Sequence, residues 1–444
     1  MYRDLVSNLP KEVMCFNPEE PFPSDFNSYV THAQVHTYLQ SYAEKHQISD
    51  LIRFDCQVSR VQRLHNGWKV FAKDAEQGEA EMGDFDGVFV CSGHFDKPSL
   101  PMLPGLQRLV DEVGVETKEI RAKDGRLPLL VHSRAYDSPE IFANKRVLVI
   151  GARASGTDVG REIATQAQEV SIVDKAREAS ERKTDVVTVR PLITSATVQE
   201  NTSVLLAFAD GSSTEVDCVV FATGYDYDYD FVDEDDVPLE TEDRRVFPLY
   251  LQLFHADYPS LMFLGIPHSV VPFPLFDLQA RLGVKYLLEG EGSGLPPPAK
   301  MREEIDRIDQ ERRAAGKRDK DAHYMGDKQW RYDMELLKLI RMSREGRVEW
   351  QPEDRPFLEW LHIARQMYED GGKRRANWPG APDDYRRLEY RIVGRTWHVF
   401  SADGELLTTG EGLDPDIGLD EAVEIIARLE DDAQPVVEDS AVAK

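Results

Sequence analysis

At 444 residues, 41% of them hydrophobic, the chain has room for two or three domains with sizeable cores, which excludes a disordered protein. Its formal charge of -27 argues against nucleic acid or an anionic membrane as partner. Two stretches, Asp226 to Asp243 and Asp414 to Lys444, carry -18 of that charge and read as a solvated loop and tail.

The first fifty residues are turn-rich, with Pro10, Pro18, Pro21 and Pro23, and then turn helical after Thr31, where Val35, Tyr38, Leu39 and Tyr42 share a face. β-like runs at Ile52 to Val61 and Trp68 to Ala72 flank the Asn66-Gly67 turn. They lead into FDGVFVCSGH, a buried strand ending in small residues, Gly93 and an aromatic. A charged segment, Asp111 to Gly125, follows.

Val147 to Ile150 is a continuous apolar run of the kind that a strand covered on both faces shows, and it breaks at Gly151. Ser155 is placed to cap a helix from about Gly156 that carries Val159 and Ile163 on one face. A second β-rich run, Val170 to Val173, ends at Asp174 and closes a βαβ unit. Such a unit aims helix amides at a pyrophosphate, although Arg153 stands where G-x-G-x-x-G has its middle glycine. The bland alternative is an ordinary strand-turn-helix.

Further β-like runs from Thr197 to Asp210 and the Asp210-Gly211 turn lead into VDCVVFATGY, which ends at Thr223, Gly224 and Tyr225. This repeats the earlier arrangement of meander, buried strand and small-small-Gly-aromatic, so two dinucleotide-binding units are expected. The first copy has no strand-glycine-helix motif before it, and its phosphate turn is expected to lie upstream of Met1. Downstream, PSLMFLGIP is a strand and turn, and a helix is expected from Pro274 with Leu275, Leu278, Leu282 and Tyr286 on one face. Leu295 to Pro298 reads as a proline stop and Met301 to Lys320 as a charged surface helix. Asp333 to Asp370 reads as helical, Asn377 to Pro382 as a linker, Leu388 to Thr409 as strands and Leu419 to Leu429 as a helix. No chemistry attaches to these last segments.

No uninterrupted apolar run approaches the roughly 20 residues of a membrane span, and the start carries no secretory pattern. Cys15, Cys56, Cys91 and Cys218 have neither a C-x-x-C pair nor zinc spacing, and read as buried small residues of a reducing, cytoplasmic protein.

Taken together, MYRDLVSNLPKEVMCF, VFVCSGHFDKPSLPMLPGL, HSRAY, RVLVIGARASGTDVGREI, FATGYDYDYDF and VVPFPLFDLQAR resemble, in order, the flavin-containing monooxygenases. GARASG looks like the plant S-oxygenating branch. The resemblance covers about Met1 to Asp333 and departs from the family pattern in two places. The FAD-binding G-x-G-x-x-G segment is absent before MYRDL, and Arg126 and Pro128 stand before His132 where the family has F-x-G. It implies an α/β fold of two Rossmann-like, glutathione-reductase-type dinucleotide-binding domains, the first incomplete at its N-terminus. The expected division is an FAD domain in 1–98 and 226–345, an NADPH domain in 99–225 and an α+β extension in 346–444. It further implies FAD and NADPH as cofactors, O2, and a small sulfur or nitrogen nucleophile oxygenated through a C4a-hydroperoxyflavin. A non-catalytic NADP-binding remnant, an N-hydroxylase and a Baeyer-Villiger enzyme are the rival readings.

By the same resemblance Asn8 sits beside the flavin, where a neutral amide donates a hydrogen bond without supplying an acid; spacing alone makes it a turn residue. Gly151, Arg153, Ser155 and Gly156 line the NADPH pyrophosphate. Asp174 suits the ribose hydroxyl of NAD, whereas Lys175 and Arg177 suit a 2′-phosphate or plain solvent exposure. Gly93, Thr223 and Gly224 mark where backbone passes close to the cofactors. Pro274 starts a helix facing the flavin ring, with Gln279 as its neighbour. His94, His132 and His268 read as structural.

Overall fold

The computed structural model describes residues 2–74, 78–100, 106–120, 128–174, 182–183, 187–199, 202–233, 235–377 and 384–428. Lys175, Arg177 and the linker expected at Asn377 to Pro382, beyond Asn377 itself, lie outside them. The chain forms two compact units, one built mainly from Phe95–Asp226, the other from Val6–His94 together with Tyr227–Ala433. The fold is mixed α/β, as expected.

In the larger unit a one-turn helix, Lys11–Met14, precedes helix α1 (His32–Lys45). A capping box starts it: the Thr31 hydroxyl accepts from Gln34 N–H, and the Gln34 side chain accepts from Thr31 N–H. Strands β1 (Cys56–Arg63), β2 (Trp68–Asp74) and β3 (Gly78–Phe85) form an antiparallel meander, with Gly67 at φ +98° in the first turn. Strand β4 (Val88–Val90) follows.

The 95–226 unit is a six-stranded sheet, in which β5 (Leu129–His132), β6 (Arg146–Ile150), β7 (Glu169–Val173), β8 (Thr188–Arg190) and β12 (Cys218–Phe221) are its parallel members. Their order is β5-β12-β6-β7-β8, and Arg182–Lys183 adds an antiparallel edge. Helix α2 (Ala154–Ala164) connects β6 to β7. Alternation explains why β6 is wholly apolar. Val147 and Val149 pack with Val159 and Ile163 of α2, while Leu148 and Ile150 pack with Leu206 and Phe208. The latter two belong to a second antiparallel meander, β9 (Ile193–Val198), β10 (Val204–Phe208) and β11 (Ser213–Val216). Meander followed by buried strand therefore occurs twice, as the repeat predicts.

In the larger unit β4 pairs in parallel with β13 (Leu261–Phe263). Helix α3 (Pro272–Glu289) begins two residues before the expected Pro274, because Pro272 already takes the first helical position and Pro274 the third. Leu295 to Pro298 is less a stop than a start, since Pro298 opens α4 (Pro298–Ala314). The expected helix over Asp333 to Asp370 is two, α5 (Gln329–Ile340) and α6 (Asp354–Asn377). Strands β14 (Glu389–Val393), β15 (Thr396–Phe400) and β16 (Leu406–Glu411) and helix α7 (Leu419–Ala427) complete it. These last elements share one core with the start of the unit: Trp360, Tyr390 and Val423 belong to the same cluster as Val13, Tyr29 and Leu278.

Two readings of the sequence need correction. The acidic stretch after Asp226 is not simply solvated, because its apolar residues go inward: Tyr227, Tyr229, Val232 and Val237 are buried with Trp68 and Phe263. Val61 N–H bonds Phe231 C=O at 2.6 Å, so a strand neighbour anchors the acidic loop. Of the four cysteines only Cys15 and Cys218 are buried; Cys91 is exposed and Cys56 half-buried, since both lie at the ends of strands where packing stops. No helix among the described residues is long and apolar enough to cross a membrane.

Candidate functional site: a strand-glycine-helix turn and an outward amide

The turn from β6 to α2 is built by two glycines. Gly151 adopts φ +111°, and a Cβ there would lie 2.5 Å from Ala222 C=O at the end of β12. A Cβ on Gly156 would lie 1.9 Å from Gly151 C=O. Only a chain without side chains at both places closes this turn over the C-terminal ends of two adjacent parallel strands. Gly160, one turn later, lets α2 approach the sheet, since its Cβ would meet Ile172 Cδ1 at 2.8 Å. The i, i+4 spacing with Gly156 was its signal in the sequence.

Ser155 is not the cap. Helix α2 starts at Ala154, and Arg153 is the N-cap residue, at φ -78° and ψ 179° with no side-chain hydrogen bond to the helix. Arg153, Ala154 and Ser155 are exposed. The first-turn amides are therefore left to a ligand or solvent, and the helix dipole makes that place favourable to an anion. A capping serine would have filled it.

Thr223 and Gly224 follow β12 directly. Thr223 Oγ1 donates to Ser99 C=O at 2.5 Å, and Gly224 C=O accepts from Ser99 N–H at 2.9 Å. His132, fully buried, accepts from Arg134 N–H on Nδ1 at 3.1 Å, so its Nε2 carries the proton given to Gly224 C=O, also at 3.1 Å. His132 and Ser99 thus fix the passage that the repeat singled out. Asp174 is half-buried at the end of β7, and its N–H bonds Arg190 C=O at 3.1 Å.

In the larger unit Asn8 is exposed, and its amide has no hydrogen-bond partner among the described residues. Its neighbour Ser7 is fixed on several sides. Ser7 N–H donates to Val30 C=O at 2.8 Å, while Ser7 Oγ donates to Leu9 C=O at 2.8 Å and accepts from Val30 N–H at 3.0 Å. Nothing in the sequence marked Ser7, because Val30, which holds it through two bonds, is more than twenty residues away.

Gly93 is exposed at φ +70°, with open space where a Cβ would stand. Pro274 is buried in the first turn of α3, where prolines at the first and third positions remove two of the free N–H groups. Gln279 does not reach outward as a flavin neighbour would. It is fully buried, with Oε1 accepting from Gly265 N–H at 2.9 Å and Nε2 bonding Tyr332 Oη at 3.0 Å and Gln252 C=O at 3.4 Å.

His94, His268 and His323 also lie in the larger unit. His323 accepts from Val246 N–H on Nε2 at 2.8 Å and directs Nδ1 to Gln252 Oε1 at 2.5 Å, which makes it a neutral imidazole. Burial, with His268 nearby, pushes its pKa down to about 3 and that of His94 to about 4. Both are neutral at physiological pH.

Residues 1–180 and 183–342 match the family described as flavin-binding monooxygenase-like. The chain is 33% identical over 316 residues to the flavin-containing monooxygenase FMO GS-OX1 of Arabidopsis thaliana, covering 69% of this chain and 64% of that protein. GS-OX3 of the same plant is 32% identical over 318 residues, again 64% of its length, so the chain spans less than two thirds of these relatives. Among solved structures, S-allyl-L-cysteine S-oxygenase from Allium sativum aligns with a TM-score of 0.70 at 29% identity, over 87% of this chain and 80% of that one. Tmm from Pelagibacter sp. strain HTCC7211 shares the fold, with a TM-score of 0.68 at 19% identity, over 92% of this chain and 82% of that one. With its strand-glycine-helix turn, its repeated meander and a family match across most of its length, the chain belongs to the flavin-binding monooxygenase-like family.

Proposed function

We propose that the protein is an NADPH- and O2-dependent flavin monooxygenase that oxygenates a small soft nucleophile, with sulfur favoured over nitrogen. The observation that carries this reading is the uncapped start of α2 above the Gly151–Gly156 turn. It fits the pyrophosphate of a dinucleotide, with Gly151, Ser155 and Gly156 presenting backbone and Arg153 free to lie along the phosphates. Thr223 and Gly224 bring the backbone of the adjoining strand end beside it. Lys175 and Arg177, following Asp174, are the residues we assign to the 2′-phosphate of NADPH.

For FAD the described residues offer less. They contain one strand-glycine-helix turn, the one assigned to NADPH, so the flavin assignment rests on the family match and on the exposed Asn8 amide. Bound FAD would supply the electron transfer and the oxygen activation. The protein's part is to hold both dinucleotides, donate a hydrogen bond from Asn8 and keep bulk water away. Preference for sulfur follows the S-oxygenase resemblance.

The test is direct. Protein purified after growth with riboflavin should show a flavin spectrum near one FAD per chain and oxidise NADPH faster when a thioether is added. Colourless protein that binds NADPH and takes up no added FAD would overturn the monooxygenase reading. Turnover of ketones alone would overturn the soft-nucleophile assignment.

A further inference from the structure

The segment around Arg386 lies beyond the residues that match the family, which end at 342, yet it reaches back to the Asn8 turn. Arg386 Nε donates to Ser7 C=O at 3.2 Å, joining positions 379 residues apart. Two further bonds tie the same regions together. Ser28 Oγ accepts from Tyr390 N–H at 2.7 Å, and Trp360 Nε1 donates to Glu12 C=O at 3.2 Å. The ring of Tyr29 stands edge-on to Tyr385 at 5.4 Å and to Tyr390 at 6.3 Å. Tyr29 and Tyr390 are buried, so this is core packing and not a surface touch.

The arrangement has a particular consequence for Asn8. Ser7 uses its N–H and hydroxyl on Val30 and Leu9, and the acceptor left over, its carbonyl, belongs to the peptide unit that enters Asn8. Arg386 takes that carbonyl. The Ser7-Asn8 peptide plane is thus held from the C-terminal side, which restrains the backbone that carries the Asn8 side chain. A charged donor suits the task, because its bond to a carbonyl is stronger than a neutral one.

We propose that Arg386 is a positioning residue: the 3-10 turn Asp384–Arg387 and β14 form a brace that sets the Asn8 amide for its ligand. This rests on the reading of Asn8 as the flavin-side donor. It gives the C-terminal elements a role in the site.

Full-length wild type, Arg386→Ala, Arg386→Lys and Ser28→Ala should be compared by amide hydrogen exchange over residues 5–10 and, with FAD loaded, by hydrogen peroxide released per NADPH oxidised. Arg386→Ala is expected to speed exchange in that turn at least tenfold and to raise peroxide yield severalfold at unchanged flavin content. Arg386→Lys should restore part of both, and Ser28→Ala should loosen the turn less, through β14. Unchanged exchange in Arg386→Ala overturns the brace, as does faster exchange with an unchanged peroxide yield. Wild type that takes up no FAD overturns the flavin reading instead, and the exchange result then decides the brace alone.

Discussion

His323 shows what burial does to one side chain. Its two ring nitrogens have partners that suit only the neutral form, and His268, Arg245, His94 and Arg312 all disfavour a further positive charge nearby. An unfolded histidine takes its proton near pH 6.5, whereas the folded one does so at about 3. Between those values the unfolded chain holds more protons, so stability is complete above about 6.5 and falls as pH drops, at up to about 1.4 kcal/mol per pH unit. His323→Gln removes that proton uptake. Chemical denaturation from about pH 4.5 to 7.5 should give the variant a flatter stability profile than wild type, and equal slopes would refute the assignment. Sequence placed His94 and His268 among structural residues but gave no sign of His323, whose partners lie more than seventy positions away.

At the scale of elements, the β6-α2 turn is the feature most legible in the chain. A wholly apolar strand, a glycine break and a 3.6-residue periodicity are local signals, and they place β6, α2 and β7 without any long-range contact. The start of the helix was misjudged by two residues because Ser155 has the chemistry of a cap while the geometry gave that position to Arg153. Gly156 tests the turn directly. In Gly156→Ala the new Cβ would lie 1.9 Å from Gly151 C=O, so helix and strand must part. The NADPH dissociation constant, read by fluorescence titration, should rise at least tenfold, roughly 1.4 kcal/mol. Equal affinity would show that the turn is not the dinucleotide site.

For the molecule as a whole, the stretch from 346 onward is part of the larger unit's core. Composition and motif gave it no chemistry, and the division at 346 treated it as an extension. Yet its side chains complete the same core as Val13, Tyr29 and Leu278, with Trp360, Leu361 and Met367 buried among them. A chain stopped before Asp354 leaves Leu336 and Leu337 of α5 uncovered and should aggregate. Limited proteolysis of the intact protein should release no stable fragment from this region. A soluble shortened chain with the wild-type melting temperature would contradict this.

Local order was written in the chain: alternation, glycine breaks, Thr31 before its helix and the repeated meander follow from neighbours within a few residues, whose sterics and periodicity act without the rest of the fold. Three-dimensional packing decided the remainder. It turned the Gln279 amide inward, drew the tyrosines of an acidic loop into a core and set Arg386 on Ser7. Each depends on residues that only folding brings together, where the cost of leaving a buried polar group or an apolar ring unpartnered selects one arrangement.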